Sequence, residues 1–164
     1  MNMKMRFFLI SGVCIGLVLK IFVFDIARVH GSSMEPAVHE NSLVFINKSA
    51  YGLARPFGSS LLIQWAQPEK GDVILFIYKG KAVIKRCAAC AGEALDFSSD
   101  SGYSVSVGGK NYPLTEKQYR RIKFDTAVPE RTVMAIGDNY ADSVDSRDYG
   151  FIPVTHILGK VVGK

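Results

Sequence analysis

From Phe7 to Phe24 the chain reads FFLISGVCIGLVLKIFVF, eighteen residues interrupted by a single charge, Lys20. As a helix such a run extends about 27 Å, close to the hydrocarbon thickness of a bilayer. Lys20 stands four residues from the end of the run, near enough for its flexible stem to carry the ammonium to the interface. Lys4 and Arg6 precede the run and Asp25 follows it, so the positive-inside rule places the N-terminus in the cytoplasm and the remainder outside. A removable leader is the competing reading, yet the residues that follow, Asp25 to His30, show no small-x-small cleavage pattern. Cys14, mid-run and preceded by Val13, is poorly placed for lipid attachment. The chain thus divides into a cytoplasmic N-terminus, residues 1–6, an anchor, residues 7–24, and an extracytoplasmic domain, residues 25–164.

That remainder has room for one core, since the chain totals 164 residues of which 48% are hydrophobic. The formal charge of +5 raises nucleic acid as a partner, but the basic residues are scattered among carboxylates and form no basic helix or aromatic-basic repeat. Nucleic-acid binding is excluded on that ground. Mild basicity suits work beside anionic membrane lipid instead.

Past the anchor the pattern is mainly β. Extended segments are expected at Ile26–His30, Ser42–Ile46, Asp72–Tyr78 and Ala82–Arg86, with Lys79-Gly80-Lys81 turning between the last two. Tyr103–Val107, Gly108-Gly109 and Asn111–Leu114 read as a hairpin, and Val133–Ile136 and Lys160–Val162 complete the set. Short helices are expected at Glu116–Arg121 and Val154–Leu158. Many short strands with little helix predict an antiparallel sheet or barrel-like domain behind one N-terminal transmembrane helix. Between strands, residues 51–67 form an apolar loop carrying the single tryptophan, Trp65, which either packs on the sheet or dips into the membrane interface.

Three stretches carry chemistry. In His30-Gly31-Ser32-Ser33-Met34-Glu35-Pro36, just beyond the apolar run, a proline-stiffened turn can present Ser33 to solvent as a nucleophile, although most such turns are only turns. In Ala82-Val83-Ile84-Lys85-Arg86, alternation puts Lys85 on the apolar face with Val83, and burial of an amine lowers its pKa, so that the neutral form can take a hydroxyl proton. A solvated edge lysine is the plain alternative. The third stretch runs from Gly137-Asp138-Asn139 through Ser143-Val144-Asp145-Ser146-Arg147 to Tyr149-Gly150. Its carboxylates, Asp138, Asp142, Asp145 and Asp148, lack the alternating register of a calcium loop, and no metal is expected.

Taken in this order, Ser33-Met34-x-Pro36, Lys85-Arg86 and the Gly-Asp-Asn…Ser-x-Asp-Ser-Arg block resemble the type I signal peptidase family, membrane serine proteases that use a Ser-Lys dyad. The resemblance spans most of the chain after Arg28. It implies that Ser33 is the nucleophile and Lys85 the general base, without a cofactor. It further implies that Ser143 hydrogen-bonds and aims the Lys85 amine, that Asp145 and Arg147 form a bracing ion pair, and that Gly137 and Asp138 shape the loop's approach to the dyad. Val29, Met34, Val83 and Ile84 match positions that line shallow pockets for small residues, so Ala-x-Ala substrates are implied. The oxyanion would meet the Ser33 backbone N–H. Gly31 stands where some members carry a second hydroxyl donor, which leaves Ser32 or water for that role.

Other departures qualify the match. Cys87-Ala88-Ala89-Cys90 replaces a glycine- and proline-rich turn, and outside the cytoplasm the pair closes a small disulfide or remains as thiols. His30, His39 and His156 share no spacing that would make a triad. The compact domain looks closest to the conjugative-transfer, plasmid-type branch. That resemblance implies a bacterial cytoplasmic membrane, a preprotein or prepilin substrate, contact with a secretion or conjugation apparatus, and either hydrolysis or cyclisation of the acyl-enzyme. A non-catalytic, membrane-anchored scaffold is the alternative from another class.

Overall fold

The structure, a computed structural model, describes residues 3–56, 58–100 and 102–163; Met1, Asn2, Phe57, Ser101 and Lys164 lie outside the described residues. The apolar run forms helix α1, Met3–Phe22, with no buried side chain. It starts four residues before the apolar run and ends two residues before Phe24, because Phe24 already pairs with Asn47 in the first strand. Strands β1, Phe24–Arg28, β2, Leu43–Asn47, β3, Gly52–Ala54, β4, Leu61–Gln64, β5, Val73–Tyr78, and β6, Lys81–Cys90, follow. After them come β7, Asp96–Ser98, β8, Ser104–Val107, β9, Lys110–Pro113, helix α2, Glu116–Ile122, and β10, Thr132–Ile136. A short helix α3, Ser146–Tyr149, then β11, Ile152–Pro153, and β12, Ile157–Gly163, end the chain.

Seven strands make one antiparallel sheet in the order β1-β2-β12-β5-β6-β10-β11. The β5–β6 hairpin turns on Lys79 and Gly80 alone, both at positive φ, with Tyr78 paired to Lys81. β7, β8 and β9 form a separate three-stranded sheet, and β8–β9 is the hairpin expected at Gly108-Gly109. The domain is mainly β and antiparallel, with one apolar helix in front of it.

Two expectations are corrected. Val154–Leu158 is not a helix: it holds a single 3-10 turn, Val154–His156, after which Ile157 and Leu158 enter β12. Ile157 and Leu158 are both buried there, and pairing Ile157 with Phe76 satisfies the sheet. Residues 51–67 are not a loop throughout, because β3 and β4 pair within them. Gly52 permits that pairing, since a Cβ at this position would strike the β4 backbone.

The period of two sorts the core. Ile74 and Phe76 of β5, Val83 and Cys87 of β6, and Val133 and Ala135 of β10 pack on one face of the sheet. Ala88, Ala89, Met134 and Ile136 join the cluster built with β8, β9 and α2. Val29, Met34, Val38, Val44 and Ile46 form a third cluster with Ile84, Val73 and Leu75 leaning on it. The segment between β1 and β2 is thereby fastened to the sheet on both sides of Ser33.

Candidate active site

Met34, only 1% exposed, and Val38 root the turn that carries Ser33 in the third cluster. Ser33 itself is half-buried. Lys85 enters from β6, where the register sets it opposite Ile74 and on the face of Val83 and Cys87. Its side chain is withdrawn from solvent, 3% exposed, and its Nζ lies 2.5 Å from Ser33 Oγ. Burial pulls the Lys85 ammonium below the ordinary lysine value. The carboxylate of Asp145 opposes that shift, Arg147 adds to it, and Asp138 and Asp142 oppose it more weakly.

The third wall is the 137–150 loop, organised by Asp145. This carboxylate is fully buried and accepts from Arg147 N, Arg147 Nε, Arg147 Nη2, Gly137 N and Ser143 Oγ at 2.6–3.1 Å. A buried charge needs such a set of donors to remain ionised. Arg147 spends its other hydrogens on the carbonyls of Pro113 and Tyr140, tying the loop to β9. Asp145 also caps α3, whose Ser146 hydroxyl accepts from Ala135 N in β10.

Ser143 donates its hydroxyl hydrogen to the fully buried Asp145 Oδ2 at 2.6 Å, and among the described residues no hydrogen bond joins it to Lys85. Asp138 pairs with Arg86, which grips both its oxygens at 2.6–2.7 Å and also donates to Gly71 O. Sequence reasoning missed Arg86 as the partner. The strand register could have found it, since Ile136 pairs with Arg86 and Asp138 lies two residues further on.

Asn139 and Asp142 were missed as well. Asn139 N donates to Ser33 O at 3.1 Å, Asn139 Nδ2 to Ser32 O at 3.4 Å, and the Ser32 hydroxyl donates to Asp142 Oδ2. The Ser32 hydroxyl hydrogen is therefore engaged by Asp142. Among the described residues the Ser33 N–H has no protein acceptor and stands ready for an anionic oxygen.

The four expected pocket residues do not form one surface. Val29, Met34 and Ile84 pack together, whereas Val83 belongs to the cluster on the opposite face of β6, as its odd-even position requires. Cys87 and Cys90 are free thiols with their sulfurs 3.8 Å apart. Ordinarily residues three apart in a strand point to opposite faces. A register shift between Met134 and Ala135, opposite Ala88, resets the alternation and brings both sulfurs to one side.

The sequence model of the signal peptidase family, peptidase S26, matches residues 2–163. Signal peptidase I of Bacillus caldolyticus is 29% identical over 168 residues, covering 91% of this chain and 83% of the relative. Signal peptidase I V of Bacillus subtilis is 26% identical over 180 residues, covering 97% and 98% respectively. A solved signal peptidase I from Enterococcus faecalis aligns with 58% of this chain and 97% of its own, at 24% identity and a TM-score of 0.43.

Proposed function

The chain belongs to the signal peptidase family, peptidase S26, and is an enzyme of the serine endopeptidase type; from that premise we propose that it removes signal peptides from exported preproteins through a Ser33–Lys85 dyad while tethered to a membrane by α1. The observation that carries the dyad is the 2.5 Å approach of a buried amine to Ser33 Oγ. Neutral Lys85 takes the Ser33 proton as Oγ attacks the scissile carbonyl, and the developing oxyanion is met by the Ser33 N–H. The resulting ammonium gives that proton to the departing amine, leaving an acyl-enzyme. A water that loses its proton to Lys85 then attacks the acyl carbonyl, and the ammonium returns that proton to Ser33 Oγ as the ester bond breaks and the acid leaves.

Asp145 and Arg147 act at one remove: they fix Gly137 and Ser143, which line the back of the dyad. Ala-x-Ala sites suit the reading, since the turn that carries Ser33 is rooted in an apolar cluster through Met34 and Val38.

Membrane tethering is supported by α1, which at 20 residues spans about 30 Å and buries nothing against the domain. With Lys4 and Arg6 at its start, the orientation follows as N-terminus in and domain out. The domain itself continues the apolar surface, with Phe24, Ile26, Leu43, Phe45 and Val162 exposed on β1, β2 and β12 and Leu62, Ile63 and Trp65 on and just after β4. The narrower form of the proposal takes a pilin precursor as substrate, handled with a conjugation apparatus and released by hydrolysis or by the substrate's own amine. It rests on the compact size of the domain.

Mass spectrometry of an Ala-x-Ala preprotein incubated with wild type, Ser33→Ala and Lys85→Ala tests the dyad. Cleavage by wild type alone supports it, and equal cleavage by all three refutes it. A product lighter by one water than the hydrolysed chain identifies cyclisation. No cleavage by any of the three, on a preprotein and a prepilin alike, favours the scaffold.

A further inference from the structure

Beside the nucleophile, the 137–150 loop grips the turn at three points. Asn139 Nδ2 binds the Ser32 carbonyl, Asn139 N binds the Ser33 carbonyl, and Asp142 accepts the Ser32 hydroxyl. The peptide between Ser32 and Ser33 is trans, so its N–H points away from its carbonyl oxygen. Fixing Ser32 at both its carbonyl and its side chain therefore fixes the direction of the Ser33 N–H. Among the described residues that N–H has no protein acceptor. The Ser32 carbonyl accepts from Glu35 N at 3.0 Å inside the turn and from Asn139 Nδ2 at 3.4 Å, and the Ser32–Asp142 contact adds a hold on the side chain from the 137–150 loop.

We propose that Asp142 is a positioning residue of the peptidase, and that its grip on the Ser32 hydroxyl sets the plane of the Ser32–Ser33 peptide and so aims the oxyanion-binding N–H. This rests on the dyad reading above. It also gives Ser32 a role other than direct donation: its one hydroxyl hydrogen is given to Asp142, and its contribution to the oxyanion is made through the backbone. Asp142 is exposed and stands on the rim of the site, so its negative charge acts on Lys85 together with those of Asp145 and Asp138, against the positive charge of Arg147. The hydrogen bond and the charge are separable. Asn at this position keeps an acceptor oxygen and removes the charge, Ala removes both, and Ala at Ser32 removes the bond while leaving the charge.

The test uses the full chain in detergent with an Ala-x-Ala preprotein and reads kcat and KM across pH. Ser32→Ala and Asp142→Ala should each lower the high-pH plateau of kcat by about tenfold with little change in KM, as expected for an interaction realised in the transition state. The double variant should be no worse than either single one. Asp142→Asn should recover most of that plateau and move the rising limb to lower pH, because a nearby carboxylate favours the Lys85 ammonium; Ser32→Ala should leave the limb where it is. Wild-type kcat in both alanine variants, additive losses in the double variant, or losses confined to KM would overturn the proposal. The Ser33 amide resonance gives a readout independent of turnover. It should shift in Ser32→Ala and Asp142→Ala and stay near its wild-type position in Asp142→Asn, and an unmoved resonance in all three overturns the proposal too. Should wild type fail to cut any precursor, the dyad reading falls, while this resonance still decides whether Asp142 orients the turn.

Discussion

Gly137 is packed so closely behind Ser33 that a Cβ on it would come within 2.5 Å of the Ser33 carbonyl oxygen and would also strike the Ser143 side chain. Its own N–H is held by Asp145, so it cannot back away without breaking the loop's central carboxylate. Gly137→Ala should therefore push the nucleophile turn off Lys85 while the core, lying elsewhere, stays folded. A displacement near 1 Å at reacting atoms costs about a hundredfold in rate. Loss of preprotein cleavage on that scale, with an unchanged circular dichroism spectrum, is the expected result; near-wild-type cleavage would show that the turn tolerates the shift.

On the proposed mechanism, Lys85 links activity and stability to the same proton. Its pKa in the folded chain lies below the ordinary 10.5, with burial as the first cause. Between the lowered value and 10.5 the unfolded chain holds a proton here that the folded chain does not, so stability from this site rises with pH across that window. Below the window both states are protonated and the folded chain bears the whole cost of a buried ammonium. Lys85→Met should thus be inactive yet melt higher than wild type at low pH, with the gap narrowing as pH rises through the window. Calorimetry at several pH values measures this, and a gap that widens with pH would contradict it. Wild-type kcat/KM should climb with pH towards the lowered Lys85 value and level off above it.

Much of this site could be read from the chain because each chemical residue was tied to a local rule. Alternation in β6 put Lys85 on the apolar face, and the turn ahead of Pro36 marked Ser33. What the rules could not supply was partner choice. The resemblance assigns Ser143 to Lys85, and what it does not show is that the hydroxyl hydrogen goes to Asp145, which is fully buried and must collect donors. The pairing of Arg86 with Asp138 depends on the β6–β10 register, which spans some fifty residues of sequence and includes an irregularity at Ala88. The same irregularity undoes the parity argument for Cys87 and Cys90. In Val154–Leu158 the residues suited a helix, but Ile157 and Leu158 fill buried places in β12 and the tertiary context prevailed.

The buried ion pair of Asp145 and Arg147 should be costly to break from either side. Their side chains are 0% and 2% exposed. Arg147→Met would remove two charged hydrogen bonds from Asp145 and strand the carbonyls of Pro113 and Tyr140, a change of about 3–5 kcal/mol in stability. Lysine is a poor substitute, since a single ammonium cannot reproduce the forked donation to both carboxylate oxygens. Chemical denaturation should show Arg147→Lys falling well short of wild type, and full stability in that variant would mean that charge alone suffices.

The exposed apolar residues of β1, β2 and β12 predict that the domain binds lipid even without its helix. Ile26 and Phe45 are directly paired across the strands and both face outward, 58% and 52% exposed. Trp65 extends this character from the neighbouring hairpin, its ring exposed while Nε1 donates to Ser49 O, which is the arrangement of an indole with one wet end. Each large apolar side chain moved from water to the membrane contributes roughly 1.5–3 kcal/mol at full burial, so a handful of partly inserted ones outweighs the cost of association. A chain beginning at Val23 should keep its core, because α1 buries no residue against the domain. It should co-float with phospholipid vesicles, and Phe45→Glu together with Trp65→Glu should release it while leaving cleavage of short soluble peptides intact. If the truncated chain remains in the aqueous fraction, the helix alone holds the enzyme to the bilayer and the outer face of β1 and β2 has another use.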